Sequence, residues 1–289
     1  MTTPVATPSV ASKFRGLAAR FVVAVGLVAI VIVTLVWLRW GFMVLLGLFV
    51  ALGSQELGHA ASLKGWRPVW QVAAFGGAVL FLVEYGLFRF GPASWAPLSV
   101  GFAGCTLMVL VAWGWRLIRP VDGFLADVAV TTLIITYLPL FGSCVVAMAC
   151  TTHPVAEVLL FVACIALNDT GAYLLGSLLG RHPMTPHISP AKTWEGFAGG
   201  LIFAGVSGAL LVHFFLAAPW WQGVVFGVVL GLCATVGDLV ESAMKRDVGV
   251  KDMGKLLPGH GGMMDRLDSM LFCAPIAWAL FNLWILVER

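Results

Sequence analysis

The chain has 289 residues, 60% of them hydrophobic and only 11% charged, with a mean hydropathy of +0.98 and a formal net charge of +3. Soluble domains carry about 25% charged residues, so composition excludes an ordinary soluble protein. The small net charge, without a basic tract, argues against a nucleic-acid partner.

Apolar runs of about 20 residues can cross a hydrocarbon core. They occur near 17–38, 40–57, 71–89, 96–114, 124–149, 155–179, 196–217, 222–243 and 269–287. The expectation is an all-α integral membrane protein, a polytopic bundle of about nine transmembrane helices. Strand-type alternation is not apparent, which argues against a β-barrel. Residues 1–16 read as a disordered leader, 17–150 as scaffold helices, and 151–289 as the helices that carry chemistry. The first run lacks a small-residue cleavage site and reads as a retained helix. Only Leu38 to Gly41 joins it to the second, which suggests an antiparallel hairpin.

With the N-terminus in the cytoplasm, fourteen of the seventeen Lys and Arg residues fall inside. Arg39, Arg89 and Arg289 are the three outside, a strong positive-inside bias. All six cysteines lie in apolar runs without metal-site spacing and read as packing residues.

In the first half, Glu56 lies near a cytoplasmic helix end and reads as a surface residue or as support for a charged neighbour. Glu84 and Asp127 lie inside or at the start of apolar runs, where ionisable groups are costly; without neighbours forming a pattern, each reads as having a structural partner or facing water. Trp95, Trp113 and Trp115 read as interface anchors. Arg116, Arg119 and Asp122 form a short cytoplasmic turn.

Chemistry is denser after residue 150. Asn168-Asp169-Thr170-Gly171-Ala172-Tyr173 puts an Asn-Asp pair inside an apolar helix, whose Gly171, Gly176 and Gly180 offer a small-residue face for close packing. His182 and His187 read as loop residues. Ser189 before Pro190 reads as a helix start, which would aim backbone N–H groups and Lys192 at an anion. Asp238 and Glu241 are three residues apart on one helical face, with Ser242 a turn beyond Asp238. Asp265 and Asp268 repeat that spacing. Two such faces brought together would make a carboxylate cluster of the kind magnesium requires. Between them, 242–269 runs from a basic front (Lys245, Arg246, Lys251, Lys255) through Pro258-Gly259-His260-Gly261-Gly262 to Asp265-Arg266-Leu267-Asp268. That order suits a phosphate-rich, metal-bound ligand.

These residues, spacing included, resemble the signature of the phosphatidate cytidylyltransferases, also called CDP-diacylglycerol synthases. Ser189-Pro190-Ala191-Lys192-Thr193-Trp194-Glu195-Gly196 and the Asn168 element resemble family elements too, although Ala191 and Ser177 stand where many members have basic residues. The resemblance implies transfer of a cytidylyl group from CTP to phosphatidic acid, giving CDP-diacylglycerol and pyrophosphate. It implies Mg2+ held by Asp238, Asp265, Asp268 and Asp169, with a second cation such as K+. Lys245, Arg246 and Lys251 would serve catalysis beside Asp238, Asp265 and Asp268. Substrates would be bound by Asn168, Asp169, Ser189, Lys192, Thr193, Glu195, Ser242, His260, Gly261, Gly262 and Arg266. A homodimer among membrane lipids is implied, in a bacterial inner (plasma) membrane with its site on the cytoplasmic side. Three rivals stand beside it, one being a homologue that has lost activity, although no motif residue looks broken. A cation transporter would explain Asp169 and Asp238 but not the glycine-rich basic loop. A transferase moving an alcohol onto CDP-diacylglycerol would need Asp-Gly-x-x-Ala-Arg, and Asp122-Gly123 is not followed by Ala-Arg.

Overall fold

The computed structural model describes residues 26, 29–92, 96–254 and 262–283. The first helix, α1, is described over 29–37, and Leu38 (φ −138°, ψ 68°) is the one non-helical residue between it and α2, Arg39–Ser62. This joint is shorter than the two to five residues of an antiparallel helix pair. The helical bonds Leu38 N–H to Thr34 O and Phe42 N–H to Leu38 O flank the break, so it is a sharp joint without a loop.

There follow α3 (Trp70–Phe90), α4 (Pro97–Arg116), α5 (Phe124–Ile135), a π turn (Thr136–Leu140) and α6 (Phe141–Ala149). Pro139 in the π turn has no N–H to give the helical ladder, and widening by one residue carries the chain past it. The second half holds α7 (Pro154–Leu179), a short hairpin of β1 (Pro183–Thr185) and β2 (Ser189–Thr193), α8 (Trp194–Leu216), α9 (Trp220–Val248) and α10 (Met264–Leu283). Among the described residues seven spans are long and apolar enough to cross a membrane, namely α2, α3, α4, Phe124–Ala149, α7, α8 and α9. They match seven of the nine expected runs. The 17–38 and 269–287 runs are described only in part, and the 1–16 leader and Trp95 lie outside the described residues.

The outward faces carry exposed apolar side chains such as Phe75, Leu107, Ile202 and Phe214. Helices apolar on every side are the mark of a membrane bundle. Packing inside the second half is backbone against backbone. A Cβ at Gly199 would stand 2.8 Å from Gly171 O, and one at Gly171 2.7 Å from Gly199 O. Gly208 and Gly223 are in similar contact between α8 and α9. Of the glycines read as a packing face, Gly171 and Gly176 do this work against Gly199 and Gly196 of α8, as small residues do where no hydrophobic force draws helices together, while Gly180 lies against Thr193.

The loops at one end of the bundle are tied to one another. Arg116, 2% exposed, is not a free turn residue; it folds back onto Asp127 (Nε to Oδ2 2.7 Å) and donates to Pro120 O and Asp122 O. Asp127 also accepts the Arg67 N–H at 2.6 Å, which gives it the structural partners expected. Glu84 has one as well, in the Ser143 hydroxyl at 2.6 Å. Arg119 donates to Arg67 O, and Lys64 meets Asp247 at 3.1 Å, so this end of the scaffold is bound to the end of α9.

Candidate active site

The expected helix start at Ser189-Pro190 is overturned. Proline drives its predecessor to extended backbone, and Ser189 instead pairs with Thr185 in the hairpin. Helix α8 begins at Trp194. Thr193 (φ −121°, ψ 155°) is its N-cap and accepts the Gly196 N–H at 3.2 Å. Glu195 in the first turn accepts the amides of Arg181 and His182, and its Oε1 lies 2.5 Å from His182 Nδ1. His182, read as a plain loop residue, therefore closes the base of the hairpin.

That hairpin lies over a cavity of about 300 Å3 whose walls include Asn168, Asp169 and Tyr173 of α7, Lys192 and Thr193, Phe197 of α8 and Asp238 of α9. Lys192 Nζ reaches Asp238 Oδ2 at 2.6 Å. Asn168 is buried, its Nδ2 directed at Asp169 (3.4 Å) and its Oδ1 wedged against Gly200 and Gly231.

Next to the cavity, carboxylate oxygens of Asp238, Glu241 and Asp268 all lie within 4.8 Å of one another. The Asp238–Glu241 pair meets Asp268 but not Asp265, which the metal expectation included and which lies outside the group, while Glu241, absent from the expected metal ligands, is its buried centre (0% exposed). Its Oε2 contacts Lys245, while its Oε1 has no hydrogen-bond partner among the described residues. Ser242 donates to Asp238 Oδ1 at 3.3 Å. Such a set of oxygen donors, one of them buried and orphaned, fits a hard divalent cation, and closely spaced carboxylates need positive charge to remain ionised together.

Asp265 stands one turn before Asp268 with different partners. Its Oδ1 meets Lys245 at 2.8 Å, and its Oδ2 accepts Gly262 N–H at 2.7 Å and Met253 N–H at 3.2 Å. Helix α9 ends at Gly249 (φ +78°), where Gly249 N–H bonds Arg246 O and Val250 N–H bonds Lys245 O. This left-handed glycine cap turns the chain toward the loop. Arg246 donates from Nε to Ile188 O at 3.2 Å, tying the hairpin tip to α9. Lys251 is exposed just beyond the cap, and Arg266 is exposed on α10. Expected residues His260 and Gly261 lie outside the described residues, as does Lys255.

The structure thus gathers Asp169 of α7, Lys192 and Thr193 of β2, and Asp238, Ser242 and Lys245 of α9 around the cavity and the opening turns of α10, which carry Asp265 and Asp268. Ser189 and Glu195 it uses to shape the hairpin. Spacing pairs Glu241 with Asp238 in a carboxylate cluster, but the expected metal ligands do not include it, and the fold makes it the buried member of the group.

A sequence model described as the cytidylyltransferase family matches residues 18–284. A phosphatidate cytidylyltransferase of Mycobacterium bovis is 36% identical over 287 residues, covering 93% of this chain and 89% of the relative. One from Mycobacterium leprae is 39% identical over 208 residues, 66% of each chain. One from Synechocystis is 46% identical over 125 residues, 42% of this chain and 41% of the relative.

Proposed function

The chain belongs to the cytidylyltransferase family, and from that premise we propose that it transfers a cytidylyl group from CTP to phosphatidic acid, forming CDP-diacylglycerol and pyrophosphate. An oxygen of the lipid phosphate attacks the α-phosphorus of CTP in line, and the bond to pyrophosphate breaks on the opposite side. The nucleophile is already anionic, so the chain's work is positioning and charge neutralisation.

The observation that carries this reading is the carboxylate group of Asp238, Glu241 and Asp268 beside a cavity edged by Lys192. These three would hold Mg2+, with Asp169 on the cavity wall as a further oxygen donor. When bound, the ion would neutralise phosphate charge and polarise the phosphoryl oxygens. Lys192, now on Asp238, is placed to exchange that carboxylate for a phosphate. Lys245 balances Glu241 and Asp265, and Asp265 fixes the approach of the chain to α10 through Met253 and Gly262. Arg246 and Lys251 supply positive charge at the rim.

The nine-helix count, the cytoplasmic N-terminus and a bacterial inner-membrane location with a cytoplasmic site belong to the same proposal. The orientation is supported by the gathering of Lys64, Arg67, Arg119, Lys192, Lys245 and Arg246 at one end of the bundle, held by the Lys64–Asp247, Arg119–Arg67 and Arg246–Ile188 contacts. Cytoplasmic ends are where such cations collect.

The test is pyrophosphate release by purified protein in detergent micelles supplied with phosphatidic acid, CTP and magnesium. Release that needs all three, and that an Asp268→Ala variant lacks, is expected. Folded protein that releases none would overturn the reading and direct attention to cation flux in liposomes.

A further inference from the structure

The carboxylates of the site come from α7, α9 and α10, yet two polar contacts from the first half of the chain reach the opening turns of α10. Glu56 on α2 accepts the Met264 N–H through Oε2 at 2.8 Å, across 208 residues of sequence. Tyr137, 3% exposed in the π turn, donates its hydroxyl to Asp268 O at 2.8 Å.

Met264 is the first residue of α10, and the first amides of a helix have no acceptor inside it. A carboxylate there is favoured both as acceptor and by the positive end of the helix dipole. Glu56 is thus a cap supplied by another helix. Its position also accounts for two glycines, because a Cβ at Gly254 or at Gly262 would fall on the Glu56 carboxylate. Tyr137 acts one turn further on, at the residue whose side chain joins Asp238 and Glu241. The apolar attachment of α10 to the same two elements is separate: Gly53, Leu138 and Leu267 pack together, with Leu138 and Leu267 buried.

We propose that Glu56 and Tyr137 are positioning residues for the metal-binding carboxylates, holding the opening turns of α10 so that Asp268 faces Asp238 and Glu241, and thereby setting the affinity of that group for its divalent ion. The inference rests on the proposed reading of the carboxylates as a cation site. It extends that site into the half of the chain otherwise read as scaffold.

The experiment compares wild type, Glu56→Ala, Glu56→Gln and Tyr137→Phe in detergent by three readouts: Mn2+ binding followed by electron paramagnetic resonance, the magnesium concentration for half-maximal pyrophosphate release, and thermal unfolding. Partners that orient metal ligands are typically worth about tenfold or more in affinity. Glu56→Ala is expected to weaken Mn2+ binding and raise the magnesium midpoint by about that factor, with kcat at saturating magnesium within about threefold of wild type. Glu56→Gln keeps an oxygen that can accept the Met264 N–H and is expected to restore the midpoint to within about twofold. Tyr137→Phe removes only the hydroxyl, and a shift of about threefold in the same direction is expected. Unchanged Mn2+ binding and magnesium midpoints in Glu56→Ala and Tyr137→Phe, with only the unfolding temperature lowered, would reduce both residues to structural ones. A Glu56→Gln variant as impaired as Glu56→Ala would overturn capping as the mechanism. If wild type binds Mn2+ but releases no pyrophosphate, the cytidylyltransferase reading fails, while the Mn2+ titrations still decide this inference.

Discussion

The two halves of the molecule both bury charge, but they balance it differently. In the first half Asp127 is matched at each oxygen, by Arg116 on one and by the Arg67 amide on the other, and Arg116 also donates to Pro120 O and Asp122 O. In the second half Asp169, Asp238, Glu241, Asp265 and Asp268 crowd together, faced directly by the ammonium groups of Lys192 and Lys245, and a buried Glu241 oxygen is left over. Buried polar groups in native proteins are nearly always satisfied. An orphaned carboxylate oxygen alone does not separate the halves, since buried Glu84 Oε2 in the first also has no partner among the described residues. What separates them is that Glu241 stands within reach of two further carboxylates, Asp238 and Asp268, while Asp127 is a saturated joint.

The largest effect should come from removing charge where it is in excess. Asp238→Asn or Asp268→Asn is expected to lower pyrophosphate release by at least about 100-fold, with the unfolding temperature equal to or above that of wild type because carboxylate repulsion is relieved. A variant that loses stability and keeps activity would break the contrast between the halves. The opposite pattern is expected at the saturated network. Arg116→Met leaves Asp127 buried and unpaired, which costs about 3–5 kcal/mol; denaturant unfolding in micelles should show it, while activity per folded molecule is retained. Replacing both, Arg116→Met with Asp127→Leu, should recover part of that loss, and no recovery would mean that the pair is more than a joint. The smallest effect is expected at the exposed rim. His182→Ala removes one partner of Glu195 at the hairpin base, and exposed pairs contribute little, so a change in the KM for CTP of about twofold would fit.

Hydropathy alone located the seven described spans, because a helix apolar on every side leaves no other reading. The meeting of Asp238 with Asp268 was legible too, since each belongs to an i,i+3 carboxylate pair at an inner helix end. The hairpin was not. Pro183, Pro186 and Pro190 signal a loop or a helix start, and the extended backbone of 189–193 is decided by pairing with 183–185 and by the Trp194 N–H bond to His182 O. Glu56 reads from sequence as a surface residue or as support for a charged neighbour, but its partner, like Tyr137's, could not be named, for those partners lie 208 and 131 residues away. Arg116 looked like one more loop cation, and only the fold shows it turned inward.

The length of α9 has a consequence for where the reaction takes place. At 29 residues and about 1.5 Å per residue it measures about 43 Å, against about 30 Å for a hydrocarbon layer. Trp220 and Trp221, exposed at its start, suit the far boundary, where tryptophans settle. If α9 crosses the membrane as proposed, counting about 20 residues inward from them would bring it out of the oily layer near Leu239, placing Asp238 at the boundary and Glu241 to Val248 among the headgroups. A phosphate on a membrane lipid already rides at that depth. The lipid would not have to be lifted out or drawn in, and sideways diffusion in its own leaflet would be enough to deliver it.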